Sequence, residues 1–343
     1  LKNVKKLLLV VGIFLSMGFF TKHIFADTTD IIVTPIQPAN QLSDVTYFDL
    51  LVRSDTNQKL QMNVKNTTNK AINVNLKPLN SFTNNNGLIT YNEDKISEEN
   101  NGISFTNLVK EKNQTVQIPS GETISVTFEI DISNKSFPGE IMGAFQIEQI
   151  LGEVSDKVKK KQTSLVLENK YQMVIGVRLR QNLTAINPVL HLKSVKPIVF
   201  NGEAATSVEI QNNQPIAFGG INIQGYIENK KSEKVGSIKL FGYQMAPNSR
   251  INLPINFDEK TVESGDYTLF LKIISQRGEW IFEKQFTLTK LEVDSINRRT
   301  IYSKKYQNNR NHFYILLFII LLLLVIILIL ICFRKKTKNE KEE

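Results

Sequence analysis

The chain reads as an all-β protein: two tandem Ig-like antiparallel β-sandwiches, followed by a short stalk helix and one C-terminal transmembrane helix. Three observations predict this. Apolar and polar residues alternate with period two through most of the body. One order of strands and turns occurs twice. Uncharged apolar runs bracket the body at its two ends.

A signal peptide is expected over 1–26. Lys2, Lys5 and Lys6 precede an uncharged run from Leu7 to Thr21, and Ile24-Phe25-Ala26 sets a small residue before Asp27. A basic start, a short apolar stretch and a small residue at the cut mark an export leader. The stretch is short against the roughly 20 apolar residues of a membrane helix. Export places Asp27 onward outside the cell.

The first sandwich is expected over 27–183, with its core at about 30–150. Residues 58–64, 71–76 and 123–130 alternate cleanly, as half-buried antiparallel strands do. The second is expected over 184–290, with a start near 163 as the other choice. Residues 250–257 alternate there in the same way. Asn66-Thr67-Thr68-Asn69-Lys70 leads from one strand into the next, and Asn212-Asn213-Gln214-Pro215-Ile216 does so in the second half. Ile118-Pro119-Ser120-Gly121-Glu122 opens a strand, matched by Met245-Ala246-Pro247-Asn248-Ser249. Phe137-Pro138-Gly139-Glu140 is matched by Glu263-Ser264-Gly265-Asp266. A last strand closes each unit, at 171–180 and at 280–288. Each unit is long enough to bury a core without disulfides. Two inserts, 84–111 and 152–161, read as polar surface loops; the lysines of the second have binding to anionic wall polymer as their functional alternative.

Leu291, Val293, Ile296, Thr300 and Ile301 suggest a short amphipathic helix in a juxtamembrane stalk over 291–312. The transmembrane helix is placed at 313–333, where 21 residues carry no charge. At a rise of 1.5 Å per residue the run spans ~31 Å, the thickness of a bilayer core. Arg334, Lys335, Lys336 and Lys338 open a cytoplasmic tail, 334–343. The net charge of +9 belongs mostly to these flanks, and 27–293 is close to neutral. Nucleic-acid binding requires a basic face on a domain, so that class is set aside.

Chemistry for catalysis is sparse. The single cysteine, Cys332, lies inside the apolar run, so the body has neither a disulfide nor a thiol nucleophile. An exported body without disulfides suggests a Gram-positive surface. Of three histidines, His23 leaves with the leader, His312 borders the membrane and His191 sits alone in a strand. No phosphate-binding glycine loop occurs, and no metal or cofactor is expected. A carboxylate pair remains open, since Glu98-Glu99 lies in the first insert. Trp280 opens the last strand and reads as a packing residue.

Several segments occur in the order seen in one known family. Pro35-Ile36-Gln37-Pro38-Ala39-Asn40-Gln41, Tyr47-Phe48-Asp49-Leu50 and Val64-Lys65-Asn66 resemble the start of the WxL-interacting proteins of low-GC Gram-positive bacteria. Thr83-Asn84-Asn85-Asn86-Gly87-Leu88-Ile89-Thr90-Tyr91 is similar to a segment of that family, as is the Pro138-Gly139 turn. Gly143-Ala144 departs from an expected Gly-Gly pair. The resemblance implies a first domain that binds peptidoglycan and a second that binds host ligands such as extracellular-matrix proteins. It also implies association with WxL-domain surface proteins. Those carry two Trp-x-Leu motifs; this chain has one Trp, followed by Ile281-Phe282, and so is the partner type.

The expectation is thus a non-enzymatic binding and scaffold protein on a single-pass membrane anchor. Its ectodomain is outside, its C-terminus is cytoplasmic, and it is associated with the cell wall. A membrane-tethered wall hydrolase and a purely structural spacer are the alternatives. Asn84, Asn86 and Tyr91 are the candidate ligand-binding residues, because amides beside an aromatic ring suit sugar recognition; a structural turn accounts for them equally.

Overall fold

The computed structural model describes residues 29–92, 103–150, 172–259, 261–302 and 313–327. The leader at 1–26, Glu98-Glu99, the 152–161 insert, His312, Cys332 and the tail from Arg334 lie outside the described residues. The first half forms β1 (Ile31–Ile36), β2 (Phe48–Leu51), β3 (Gln58–Asn66), β4 (Ile72–Thr83), β5 (Ile89–Asn92), β6 (Gln114–Ile118), β7 (Thr123–Ile130), β8 (Glu140–Ile150) and β9 (Gln172–Arg180). The second half forms β10 (Leu190–Phe200), β11 (Glu203–Asn212), β12 (Phe218–Asn229), β13 (Lys234–Met245), β14 (Arg250–Asn256), β15 (Gly265–Ser275) and β16 (Gly278–Leu288). Two short helices join them, α1 (Phe105–Leu108) and α2 (Lys290–Arg299).

In the first unit, a sheet ordered β1-β3-β7 faces one ordered β2-β9-β8-β4-β5, with β6 also on β4. Alternation decides which side chains meet: Leu60, Met62 and Val64 of β3 and Val126, Phe128 and Ile130 of β7 are all buried in one cluster. Phe128 stacks on Phe145 at 4.3 Å between ring centroids. The 84–111 segment is not all surface loop. Its α1 drives Phe105 and Leu108 into the core, and Phe105 meets Phe145 edge-on. Gly143 makes this possible, because a Cβ there would lie 2.2 Å from the Phe105 ring.

One pairing departs from the antiparallel expectation: β2 runs parallel to β9, with Phe48 opposite Val177 and Leu51 opposite Arg180. The two strands are far apart in sequence, so no hairpin constrains their direction. A chain entering from β1, in the opposite sheet, lays β2 on the outer edge of β9. Asp49 fixes it there by accepting from Arg180 and from Ser43 Oγ.

The second unit repeats the plan. Its sheets are ordered β10-β11-β14 and β13-β12-β15-β16, matching β1-β3-β7 and the run from β4 through β8 to β9. Val208, Ile210, Leu253, Ile223, Leu269 and Leu271 lie in its core. The two asparagine turns of the repeat are equivalent in detail. Asn66 is fully buried and its Nδ2 donates to the carbonyls of Lys70, Ile118 and Pro119, while Oδ1 accepts from Thr68 N. Asn212, also fully buried, donates to Ile216 and Ala246 and accepts from Gln214 N. Gly121 and Asn248 take the same left-handed backbone in the turns these amides hold.

The units meet through the ends of β4 and β8. Thr83 Oγ1 lies 2.6 Å from Ser249 Oγ and accepts from Ala246 N, and Gln244 N donates to Gly87 O at 2.7 Å. Gly87 has φ +72, and a Cβ there would enter the Tyr243 ring. Glu140, buried with no exposed side-chain surface, takes Arg178 from its own unit and Ala217 N from the other.

The expected stalk is, over its described part, a docked helix. Thr289 and Glu292 close a capping box on α2, and Val293 and Ile296, three apart, fill the second core. Thr300 is buried behind them. Residues 313–327 are helical and exposed throughout. Among the described residues no helix is long and apolar enough to cross a membrane; 328–333 of the expected span lie outside them.

Candidate functional site

A cleft of about 1050 Å³ lies beside β9, where the first unit faces the second. One wall is six consecutive β9 residues, Met173 to Arg178. Val33, Thr34 and Pro35 of β1 stand opposite. Tyr47 and Tyr91 reach in from the β1–β2 loop and from β5, and Ala217, Phe218 and Gly219 close the side toward the second unit. Tyr91 Oη and Tyr47 Cβ lie over Gly176: a Cβ at that glycine would stand 3.4 Å and 3.6 Å from them.

The lining is mostly apolar, and its one cationic side chain is paired. The guanidinium of Arg178 is taken by Glu140, leaving exposed Asp44 at the mouth. Burial raises the Tyr91 phenol above its usual range, and the neighbouring Tyr47 adds to the shift. The Tyr91 ring is therefore a neutral hydrogen-bonding group with an apolar face, and the Tyr47 ring adds a second aromatic surface beside it. Among the described residues no group of three or more His, Cys, Asp or Glu could hold a metal ion. His191 stands exposed on β10, opposite Gln211.

The three residues singled out from sequence do not act together. Asn84 builds the β4–β5 turn, its Oδ1 accepting from Asn86 N at 3.0 Å and Leu88 N at 3.1 Å. Asn86 sits exposed on that turn. Tyr91, at the far end of β5, lines the cleft. Sequence reasoning missed Tyr47 and the whole β9 wall. Tyr47 lies inside a noted motif, but nothing local says that it faces Tyr91 across the sheet. Trp280 is half-buried against the second core, 5.8 Å from Phe218, which fits its reading as a packing residue.

The described body is thus two packed β-sheet units with a mostly apolar, tyrosine-lined cleft beside their junction. Residues 32–149 match the family model "WxL Interacting Protein, peptidoglycan binding domain", and 162–298 match "WxL Interacting Protein, host binding domain". The chain belongs to the WxL-interacting protein family. The second match starts ahead of β9, although β9 is part of the first unit's sheet. No curated protein matches the chain. Among solved structures, the class 5 fimbriae chaperone CfaA is similar with a TM-score of 0.29 and 13% identity, over 74% of this chain and 98% of that one. The YadV chaperone has a TM-score of 0.28 and 12% identity, over 76% and 100%. The CupB2 chaperone of Pseudomonas aeruginosa has a TM-score of 0.25 and 10% identity, over 66% and 91%.

Proposed function

We propose that the chain is a non-enzymatic scaffold of a Gram-positive cell surface, made of two tandem Ig-like sandwiches. A signal peptide at 1–26 exports it, and a helix at 313–333 holds it in the membrane with 334–343 in the cytoplasm. The first sandwich holds peptidoglycan, the second faces host matrix proteins, and the assembly associates with WxL-domain surface proteins. The observation that carries this reading is the tandem match to two binding-domain models, one on each side of the cleft. The charge-free helical run at 313–327 supports the anchor. Tyr47 and Tyr91 offer aromatic faces of the kind that stack on sugar rings, beside the hydroxyl of Thr90 and the amide of Gln244.

The test uses full-length protein in detergent micelles, mixed with purified sacculi and sedimented. Retention is expected, weakened about fivefold by Tyr91→Ala through loss of one aromatic contact. Absence of retention for the unaltered protein removes wall binding; equal retention of the variant removes the tyrosines from it.

A further inference from the structure

We propose that the open edge of β9, from Gln172 to Gly176, is an acceptor for a β-strand of a partner protein: an extended, uncharged segment with alternating apolar side chains. This goes beyond the wall-binding reading, which concerns the tyrosine faces rather than the strand edge.

The geometry of β9 is the first ground. In a strand seen from its face, alternate residues line a cavity; here six consecutive residues do, Met173 to Arg178. The cleft therefore meets β9 edge-on, where its main-chain N–H and C=O groups point. On its other side β9 is paired with β8 along its whole length. On the cleft side β2 covers Val177 to Arg180 and stops at Phe48. Among the described residues no strand continues that pairing over Gln172 to Gly176. An incoming segment would extend an edge that β2 already uses.

The second ground is the absence of protection. Open edges are normally blunted by proline, by charge or by a covering element. Across the cleft β1 is blunted, since Pro35 has no N–H to offer. The open part of β9 reads Gln172-Met173-Val174-Ile175-Gly176, with neither proline nor charge, and Val174 is 42% exposed.

The third ground is an internal control. The strands equivalent to β1 and β9 in the second unit are β10 and β16, and there the same opening is shut. β10 packs against β16, Lys284 Nζ donates to Lys193 O at 3.1 Å, and α2 packs against β10. One plan is thus sealed in one copy and open in the other. What fits the open copy follows from its walls. A row of main-chain groups that no strand among the described residues pairs with asks for a polypeptide in extended form. Val33, Ile175 and Phe218 ask for apolar side chains, and the Arg178–Glu140 pair leaves no free positive charge for an acidic one. Five residues in this form span about 17 Å.

The test pans a random dodecapeptide display library against full-length protein in detergent micelles. The enriched peptides are synthesised plain and with alternate backbone amides N-methylated. Alternating apolar peptides are expected, with amide-exchange protection over Met173 to Gly176 on binding. N-methylation, and separately Val174→Lys on the outward face of the edge, should each weaken binding at least tenfold. The proposal is overturned if no peptide is enriched, if protection maps elsewhere, if N-methylation changes nothing, or if soluble muropeptides protect this edge and peptides do not. Sedimentation with sacculi reads wall binding separately, so either reading can fail while the other stands.

Discussion

The two units share a plan of strands, and what differs between them is how each treats its weak points. Unit two is plain. β13 is one continuous strand beside β12, Leu269 of β15 fills the core directly, and α2 packs against β10 beside the opening between its sheets. Unit one is elaborated at the same places. The partner of β4 is split into β5 and β6, with α1 between them. Gly143 stands where the shared turn before β8 and β15 puts Leu269, and Phe105 of α1 supplies the missing bulk. β2 is added to the edge of β9, and the opening beside it is left as a cleft. Conserving volume while changing which segment delivers it keeps a core intact. It also frees the edges for other uses.

This comparison can be broken or sharpened by substitution. The largest effect is expected at Glu140, which belongs to one unit and binds the other. Glu140→Gln leaves Arg178 without its partner and should cost about 3–4 kcal/mol in urea unfolding, with faster exchange at the Ala217 amide. An unchanged midpoint would mean that the junction does not depend on the pair. Next come the paired asparagines. Asn66→Ala removes three hydrogen bonds to main-chain carbonyls and Asn212→Ala two, so losses of about 2–3 and about 2 kcal/mol are expected in the same measurement. The reverse order would end the equivalence drawn between the two turns.

Gly143→Ala should cost about 2 kcal/mol by overpacking against Phe105, and Phe105→Leu in the same chain should recover part of it. Thr289→Ala removes the cap of α2, at about 1 kcal/mol, and should raise protease cutting near 290–299 before either core opens. The smallest effect is electrostatic. Asp131 is held at about 2, against its usual 3.8, by hydrogen bonds from Ser133 and Lys135, and Lys110 holds Glu129 low as well. A carboxyl depressed in the folded state contributes stability that is full above its unfolded pKa and is lost as pH falls through the folded value. Unit one should therefore weaken between pH 3.8 and about 2, and Asp131→Asn should flatten that limb of the unfolding profile.

Much of this architecture is legible in the sequence, for a physical reason. β3, β7 and β14 each bury one face, so their alternation is written residue by residue, as in Leu60, Met62 and Val64. β2 and β5 hold four residues each, too few for a period to show. The insert hid α1 because its polar neighbours outnumber Phe105 and Leu108. Family likeness, rather than pattern, brought in Asn84, Asn86 and Tyr91, and only Tyr91 reaches the cleft. The cleft itself has no local signature. It exists because β1, β9 and Phe218 come together from distant parts of the chain, and because one of two like openings was not closed.

A final consequence concerns mechanical load. Where the chain leaves the second unit it is tied down beyond α2: Ile301 N donates to Gly202 O at 2.8 Å, and Tyr302 Oη donates to Glu203. Gly202 has no side chain, so Ile301 can press against the backbone of the β10–β11 hairpin. A tug on the C-terminal end is thus delivered to the tip of a hairpin inside a sheet. Shear across that hairpin loads many rungs at once, whereas a free helix end would unwind turn by turn. Tension applied at the C-terminal end should therefore reach the β10–β11 hairpin before it unwinds α2.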